Sequence, residues 1–174
     1  SNYHFVSTSE HKKRVIQLGE KRSNVFNFGA PALENLKNTK IISKNLLSDF
    51  LNLNVNKPYF LATFHPVTYQ TDGDLEGLKN MMKAMLSFND INIICTFPNA
   101  DVNGQKFIFE LKKFRKEHPN RIILKKSVGS KHYFSLMSNS IAVVGNSSSG
   151  IIEAPSLDIP TVNIGERQRG RPIA

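Results

Sequence analysis

Apolar and polar positions fall into a repeating order after residue 58. Short apolar runs bounded by turn residues alternate with longer stretches in which apolar residues recur at three- and four-residue steps. The pattern predicts strands over 59–64, 91–97, 121–124, 141–144 and 161–164. It predicts helices over about 74–88 and 105–118, with shorter ones over 131–137 and after Gly150. Leu75, Leu78, Met82, Met85 and Leu86 mark one helical stripe, and Phe107, Leu111 and Phe114 another; both are expected to face a core. Strands alternating with helices imply the α/β class, with a Rossmann-like parallel sheet covered on both faces.

The first 57 residues are patterned differently. A strand over 3–7, a helix over 9–18 and a strand over 24–28 form one small alternating unit. Ser7-Thr8-Ser9-Glu10 has the form of a capping box with Ser7 as the cap, and Gly19 is placed to stop the helix. Leu46, Leu47, Phe50 and Leu51 keep helical spacing until the Asn-rich stretch 52–57. The expected organisation is a remnant of a preceding N-terminal domain over 1–30, a helical linker over 31–57, and a Rossmann-like domain over 58–174, truncated at its C-terminus.

Composition narrows the class. The 174 residues are 40% hydrophobic and 21% charged, far from the disordered regime. Apolar runs of a few residues exclude a membrane span of about 20. Cys95 is the one cysteine, and the five histidines never fall at ligand spacing, so disulfide scaffolds and metal folds are not expected. The start, Ser1-Asn2-Tyr3-His4, has neither Met nor the order of a signal peptide, and is read as a fragment of a cytoplasmic protein. Lys and Arg number 23 against 14 Asp and Glu, a net charge of +9, which favours an anionic partner. No nucleic-acid motif or aromatic platform accompanies that charge, so nucleic acid is not the expected partner.

In a doubly covered parallel sheet, ligands bind beyond the carboxyl ends of the strands. The unusual polar residues lie there: Thr63-Phe64-His65-Pro66, Phe97-Pro98-Asn99, Lys126-Ser127-Val128-Gly129, Gly145-Asn146-Ser147-Ser148-Ser149-Gly150 and Gly165-Glu166-Arg167. The fourth run is the strongest feature, because small residues between a strand and a helix let N–H groups and hydroxyls approach an anion. An ordinary tight turn is its other reading. It is not a Walker A loop, since Ile151-Ile152 follow Gly150 where that motif needs Lys and Ser or Thr. Glu153, placed in the first turn of the following helix, either complements the helix dipole or accepts hydrogen bonds from ribose hydroxyls. Pro155 keeps that helix short or kinked. Arg167 is placed to clamp a diphosphate through two donors. His65, held extended by Pro66, either faces the anion or is satisfied by backbone. Asn99 has an Asx-turn as its simpler reading.

Taken together, Phe64-His65-Pro66-Val67-Thr68, Phe97-Pro98-Asn99-Ala100-Asp101, Gly145 through Ala154 and Gly165-Glu166-Arg167-Gln168 resemble the UDP-N-acetylglucosamine 2-epimerases. The His-Pro and Phe-Pro-Asn forms are similar to the hydrolysing, sialic-acid-type branch, and Phe28-Gly29-Ala30-Pro31 resembles the family's crossover between domains. The resemblance implies a two-domain fold of the glycosyltransferase-B type, with a UDP-sugar in the cleft and 58–174 as the UDP-binding second domain. It implies His65 as a catalytic residue meeting the diphosphate with Ser147 and Ser148, in a loop completed by Ser149 and Gly150. Glu153 would meet the ribose, Asn99 and Arg167 the nucleotide region, and the backbone near Val128 the uracil. The implied reaction eliminates UDP after loss of the C2 proton and adds water with inversion, giving N-acetylmannosamine. It needs no metal or other cofactor and draws its acid and base carboxylates from the first domain. The fragment alone is then expected to bind UDP without turnover. The N-acetyl and C4 contacts lie mostly outside this segment, so a 2,4-diacetamido sugar is open as substrate, as is a homo-oligomeric state.

Three alternatives share parts of this pattern. A glycosyltransferase of the same two-domain type would use the same strand-end nucleotide site. A basic polyanion-binding module would use the +9 charge, with steep salt dependence. A structural subunit would bind no nucleotide.

Overall fold

The computed structural model describes residues 1–51, 56–67, 73–98 and 104–172. Two compact units are present, Ser1–Thr39 and Lys40–Ala174.

The first unit pairs two parallel strands, β1 (His4–Val6) and β2 (Val25–Asn27), through helix α1 (Ser9–Gln17), and ends in α2 (Pro31–Lys37). The cap of α1 differs from the capping box expected on Ser7. Thr8 is the N-cap and accepts from the His11 N–H at 3.1 Å, while Glu10 pairs with Arg14 one turn on. The extended backbone of Thr8 aims its hydroxyl at the free N–H groups of the first turn, which leaves Ser7 outside the helix to meet the His11 ring. Gly19 follows the C-cap at φ 101°, as a helix stop requires. Phe5, Phe26 and Phe28 stack in a row across β1 and β2, with Phe5 and Phe28 exposed.

The second unit begins with α3 (Lys44–Leu51) and then alternates strictly: β3 (Tyr59–Thr63), α4 (Gly73–Leu86), β4 (Asn92–Thr96), α5 (Gly104–Glu117), β5 (Ile122–Lys125), α6 (Gly129–Ser138), β6 (Ala142–Gly145), α7 (Ser149–Ile152), a 3-10 turn (Ala154–Leu157) and β7 (Thr161–Asn163). The five strands form one parallel sheet in the order β5-β4-β3-β6-β7. This is the α/β, Rossmann-like sheet that the periodicity predicts.

Alternate strand residues feed two cores, as the period of two demands. Ala62, Ile93, Cys95, Ala142 and Val144 pack on one face with Leu78, Met82 and Met85 of α4 and Phe107 and Leu111 of α5. Tyr59, Leu61, Ile94 and Val143 pack on the other with Leu47 of α3 and Leu136 and Met137 of α6. The methionine and phenylalanine stripes are core, as expected. Cys95 is a buried free thiol whose pKa burial pushes up to about 12.

The chain crosses from one side of β3 to the other between β5 and β6. The strand order therefore reverses at the β3–β6 pair, which opens a crevice at their carboxyl ends.

Candidate functional site

Gly145 closes β6 opposite Thr63 of β3 and turns the chain out of the sheet at φ 139°. A methyl group there would stand 2.0 Å from the Thr63 carbonyl oxygen. Only glycine keeps the two strands paired to their last residues.

Asn146, 1% exposed, then takes over from the ladder. Its N–H donates to Thr63 O at 3.2 Å. Its side-chain Oδ1 accepts from the His65 N–H at 2.7 Å, and its Nδ2 donates to His65 O at 2.8 Å. Its own carbonyl accepts from Arg167 Nη1 at 3.0 Å and from Gln168 Nε2 at 2.7 Å. One residue thus ties together the segments that leave β3, β6 and β7. Of the residues expected at this site, His65, Ser147, Ser148, Glu153 and Arg167 are gathered here, each partly exposed.

The loop after Asn146 is more inward than its sequence suggests. Ser149 is 8% exposed, and its hydroxyl lies 2.8 Å from Tyr133 Oη and 3.0 Å from Ser147 Oγ. Gly150 is buried against Thr161, whose methyl would be 2.8 Å from an added Cβ. Helix α7 is a single turn that starts at Ser149, so Glu153 is not in its first turn. Glu153 is the C-cap of α7 and leads into the 3-10 turn that Pro155 imposes. At the C-terminal end of α7 the carboxylate does not complement that helix's dipole. Its Oε2 is buried without a hydrogen-bond partner among the described residues, and burial holds the carboxyl above the usual glutamate range. A buried acceptor in that position calls for a donor from outside.

Burial lowers the pKa of Arg167, and nearby Arg171 lowers it further. A guanidinium stays charged through such a shift, so the two arginines make this rim cationic. Val128 is the N-cap of α6; its carbonyl lies 3.0 Å from His132 Nδ1 and its side chain packs on the second core. Asn99 lies outside the described residues. Among the described residues, no group of three or more His, Cys, Asp or Glu is placed to hold a metal, and no helix is long and apolar enough to cross a membrane.

Asn146 and Gln168 lie within the runs quoted from the sequence, but no role is assigned to them there, and Tyr133 is not singled out. Asn146 carries a usable signal, a polar residue directly after the glycine that closes a buried strand. For Gln168 the signal is its place in the Gly165-Glu166-Arg167-Gln168 run; Tyr133 carries none, since nothing local separates it from a core residue.

Comparison with known proteins gives this constellation a family. The family model described as UDP-N-acetylglucosamine 2-epimerase matches residues 1–173, and the chain belongs to that family. It is 37% identical over 171 residues to the GDP/UDP-N,N'-diacetylbacillosamine 2-epimerase (hydrolyzing) of Campylobacter jejuni, covering 98% of this chain and 44% of that protein. It is 38% identical over 172 residues to polysialic acid biosynthesis protein P7 of Escherichia coli, covering 98% and 43%. The chain thus spans less than half the length of these relatives. Among solved structures it superposes on the S. aureus MnaA-UDP co-structure with a TM-score of 0.73 at 18% identity, covering 98% of this chain and 44% of that one. A Methanocaldococcus jannaschii UDP-GlcNAc 2-epimerase in complex with UDP-GlcNAc and UDP gives 0.70 at 22%, covering 97% and 47%. The fold they share with it is the glycosyltransferase-B-type α/β architecture expected above.

Proposed function

We propose that this chain is the UDP-binding half of a hydrolysing 2-epimerase that acts on a UDP-linked 2-acetamido sugar. The observation that carries the reading is the convergence of His65, Ser147, Ser148, Glu153 and Arg167 on the β3–β6 switch point, knitted together by Asn146. In this reading Ser147, Ser148, His65 and Arg167 face the diphosphate, the unpartnered oxygen of Glu153 accepts from the ribose hydroxyls, and Asn99 and the Val128 backbone border the nucleotide. Residues 1–30 belong to the preceding domain, 31–57 link it, and 58–174 hold the nucleotide. The 2-epimerase names of the relatives, including a diacetylbacillosamine enzyme, support either a 2-acetamido or a 2,4-diacetamido sugar as substrate.

The chemistry follows from what these groups can do. A base removes the C2 proton, the C2–H electrons form the C1=C2 double bond, and the C1–O bond breaks with its electron pair leaving on UDP. Charge develops on the β-phosphate in that step, and in this reading His65, Arg167 and the serine hydroxyls stabilise it. Water then adds its oxygen to C1 while a proton returns to the opposite face of C2, giving the free C2-inverted sugar and UDP. The C2 acid and base are assigned to the rest of the protein. In this reading the reaction takes place in the cytoplasm, with which a lone free thiol at Cys95 is compatible.

The test is incubation of the full-length protein with UDP-N-acetylglucosamine or its 4-acetamido analogue in D2O. Release of UDP with a C2-inverted free sugar carrying deuterium at C2 is expected. Transfer of the sugar to an acceptor without deuterium would replace this reading with a glycosyltransferase.

A further inference from the structure

We infer that Tyr133 and Ser149 are positioning residues which form a one-way hydroxyl relay, so that the Ser147 O–H is left to donate outward to a diphosphate oxygen. The inference deepens the UDP-binding reading and rests on it.

A serine hydroxyl has one proton to give and two lone pairs that accept. Ser147 Oγ accepts from Ser149 Oγ at 3.0 Å and from the Ser149 N–H at 3.4 Å. Both of its lone pairs therefore face donors, and no acceptor for its own proton is found among the described residues. Having given its proton to Ser147, Ser149 can only accept from Tyr133 Oη, 2.8 Å away. Tyr133 can serve as that donor because burial raises its pKa and keeps the phenol protonated at neutral pH. One direction satisfies every member: Tyr133 to Ser149, Ser149 to Ser147. Successive hydroxyl bonds polarise one another, so the chain strengthens the last donor as well as aiming it.

The geometry separates roles that the sequence lumps together. Ser149 is 8% exposed and its proton is committed, whereas Ser147 is half-buried at the rim with its proton available. An anion therefore meets Ser147, and Ser149 and Tyr133 act through it.

The experiment measures UDP and uridine affinity of the intact protein for wild type, Tyr133→Phe, Ser147→Ala and the double variant, with thermal melts to establish folding. Tyr133→Phe is expected to weaken UDP about five- to tenfold and to leave uridine unchanged, because only the diphosphate meets the end of the relay. The double variant is expected to bind UDP no more weakly than Ser147→Ala, since Tyr133 acts only through the bond that Ser147 makes. A folded Tyr133→Phe protein with wild-type UDP affinity overturns the relay, and so do additive losses. Neutron diffraction from the perdeuterated wild-type protein tests it without a variant or a ligand. A deuteron on Ser149 Oγ directed at Ser147 is expected, and one directed at Tyr133 overturns the inference. Absence of UDP binding by the wild type would instead defeat the functional reading, with the deuteron positions still deciding the relay.

Discussion

The side-chain amide of Asn146 holds both main-chain polar groups of His65, taking the N–H at 2.7 Å and giving to the carbonyl at 2.8 Å. This is what a neighbouring strand would do one step further along the sheet, where the turn at Gly145 has removed the β6 backbone. Asn146 thereby fixes the backbone of His65 while its own carbonyl fixes Arg167. Asn146→Ala removes the amide from both main-chain groups of His65, and a loss of about 2–4 kcal/mol of stability is expected. UDP affinity falls with it, because the His65 backbone is released, although the main-chain carbonyl that holds Arg167 is kept. Urea denaturation alongside UDP titration checks this, and unchanged stability would remove Asn146 from its central place.

Gly145→Ala meets two penalties at once. The φ of 139° is unfavourable for any side chain, and the new methyl lands on the Thr63 carbonyl rather than on a movable side chain. A loss of at least about 3 kcal/mol is expected, since the strands must part to make room. The comparison Gly129→Ala shares the positive φ, but nothing lies within 4 Å of its added Cβ, so it should cost much less. Similar denaturation midpoints for the two variants would show that the close approach at Gly145 is unimportant.

The pH dependence of Glu153 has a definite sign. Burial holds its folded pKa above the usual 4.5, so the folded protein binds this proton more tightly than the unfolded chain does. The stability gained is fully present below pH 4.5 and is lost as pH rises through the folded value. At neutral pH the charged carboxylate, with Oε2 buried and unpartnered among the described residues, is a net cost. Glu153→Gln should therefore melt higher than wild type at pH 7 and lose that advantage as the pH falls towards 4.5. Saturating UDP should narrow the gap at pH 7, because ribose hydroxyls stabilise the ionised wild-type side chain. Melting curves across that pH range, with and without UDP, are the measurement. A wild type that melts above the variant at pH 7 without ligand would contradict the assignment.

Arg167 has one guanidinium nitrogen on the Asn146 carbonyl, and its planar fork presents further donors. Arg167→Lys keeps the charge and loses the fork, so it should not rescue Arg167→Ala fully. UDP affinity is expected to fall about tenfold or more in the alanine variant, with a smaller loss in the lysine variant and little change for uridine. Calorimetric titration decides this; equal losses for UDP and uridine would place Arg167 away from the diphosphate.

The alternation of elements was legible along the chain because it depends on local periodicity. Leu78, Met82 and Met85 repeat at helical steps and do face a core, and Gly19 does stop α1. The strand-end rule also points to His65, Ser147, Ser148 and Arg167, which the structure brings to one edge because a parallel sheet sends every carboxyl end there. The local detail was less secure. Ser7 and Thr8 are both competent caps, and only backbone geometry chose Thr8; the start of α7 at Ser149 moved Glu153 from a first turn to a C-cap.

What the sequence by itself determined is an α/β chain, unusual polar residues at its strand ends, and the family whose motifs those residues resemble. Tertiary structure alone decided which of those ends meet. His65 and Asn146 are 81 residues apart and become partners because β6 lies beside β3 while β4 and β5 lie on its other side. Tyr133 and Gln168 enter the site for the same reason, through bonds to Ser149 and Asn146. Periodicity sets how each segment folds, whereas hydrogen bonds between distant segments depend on strand order, which no local pattern encodes.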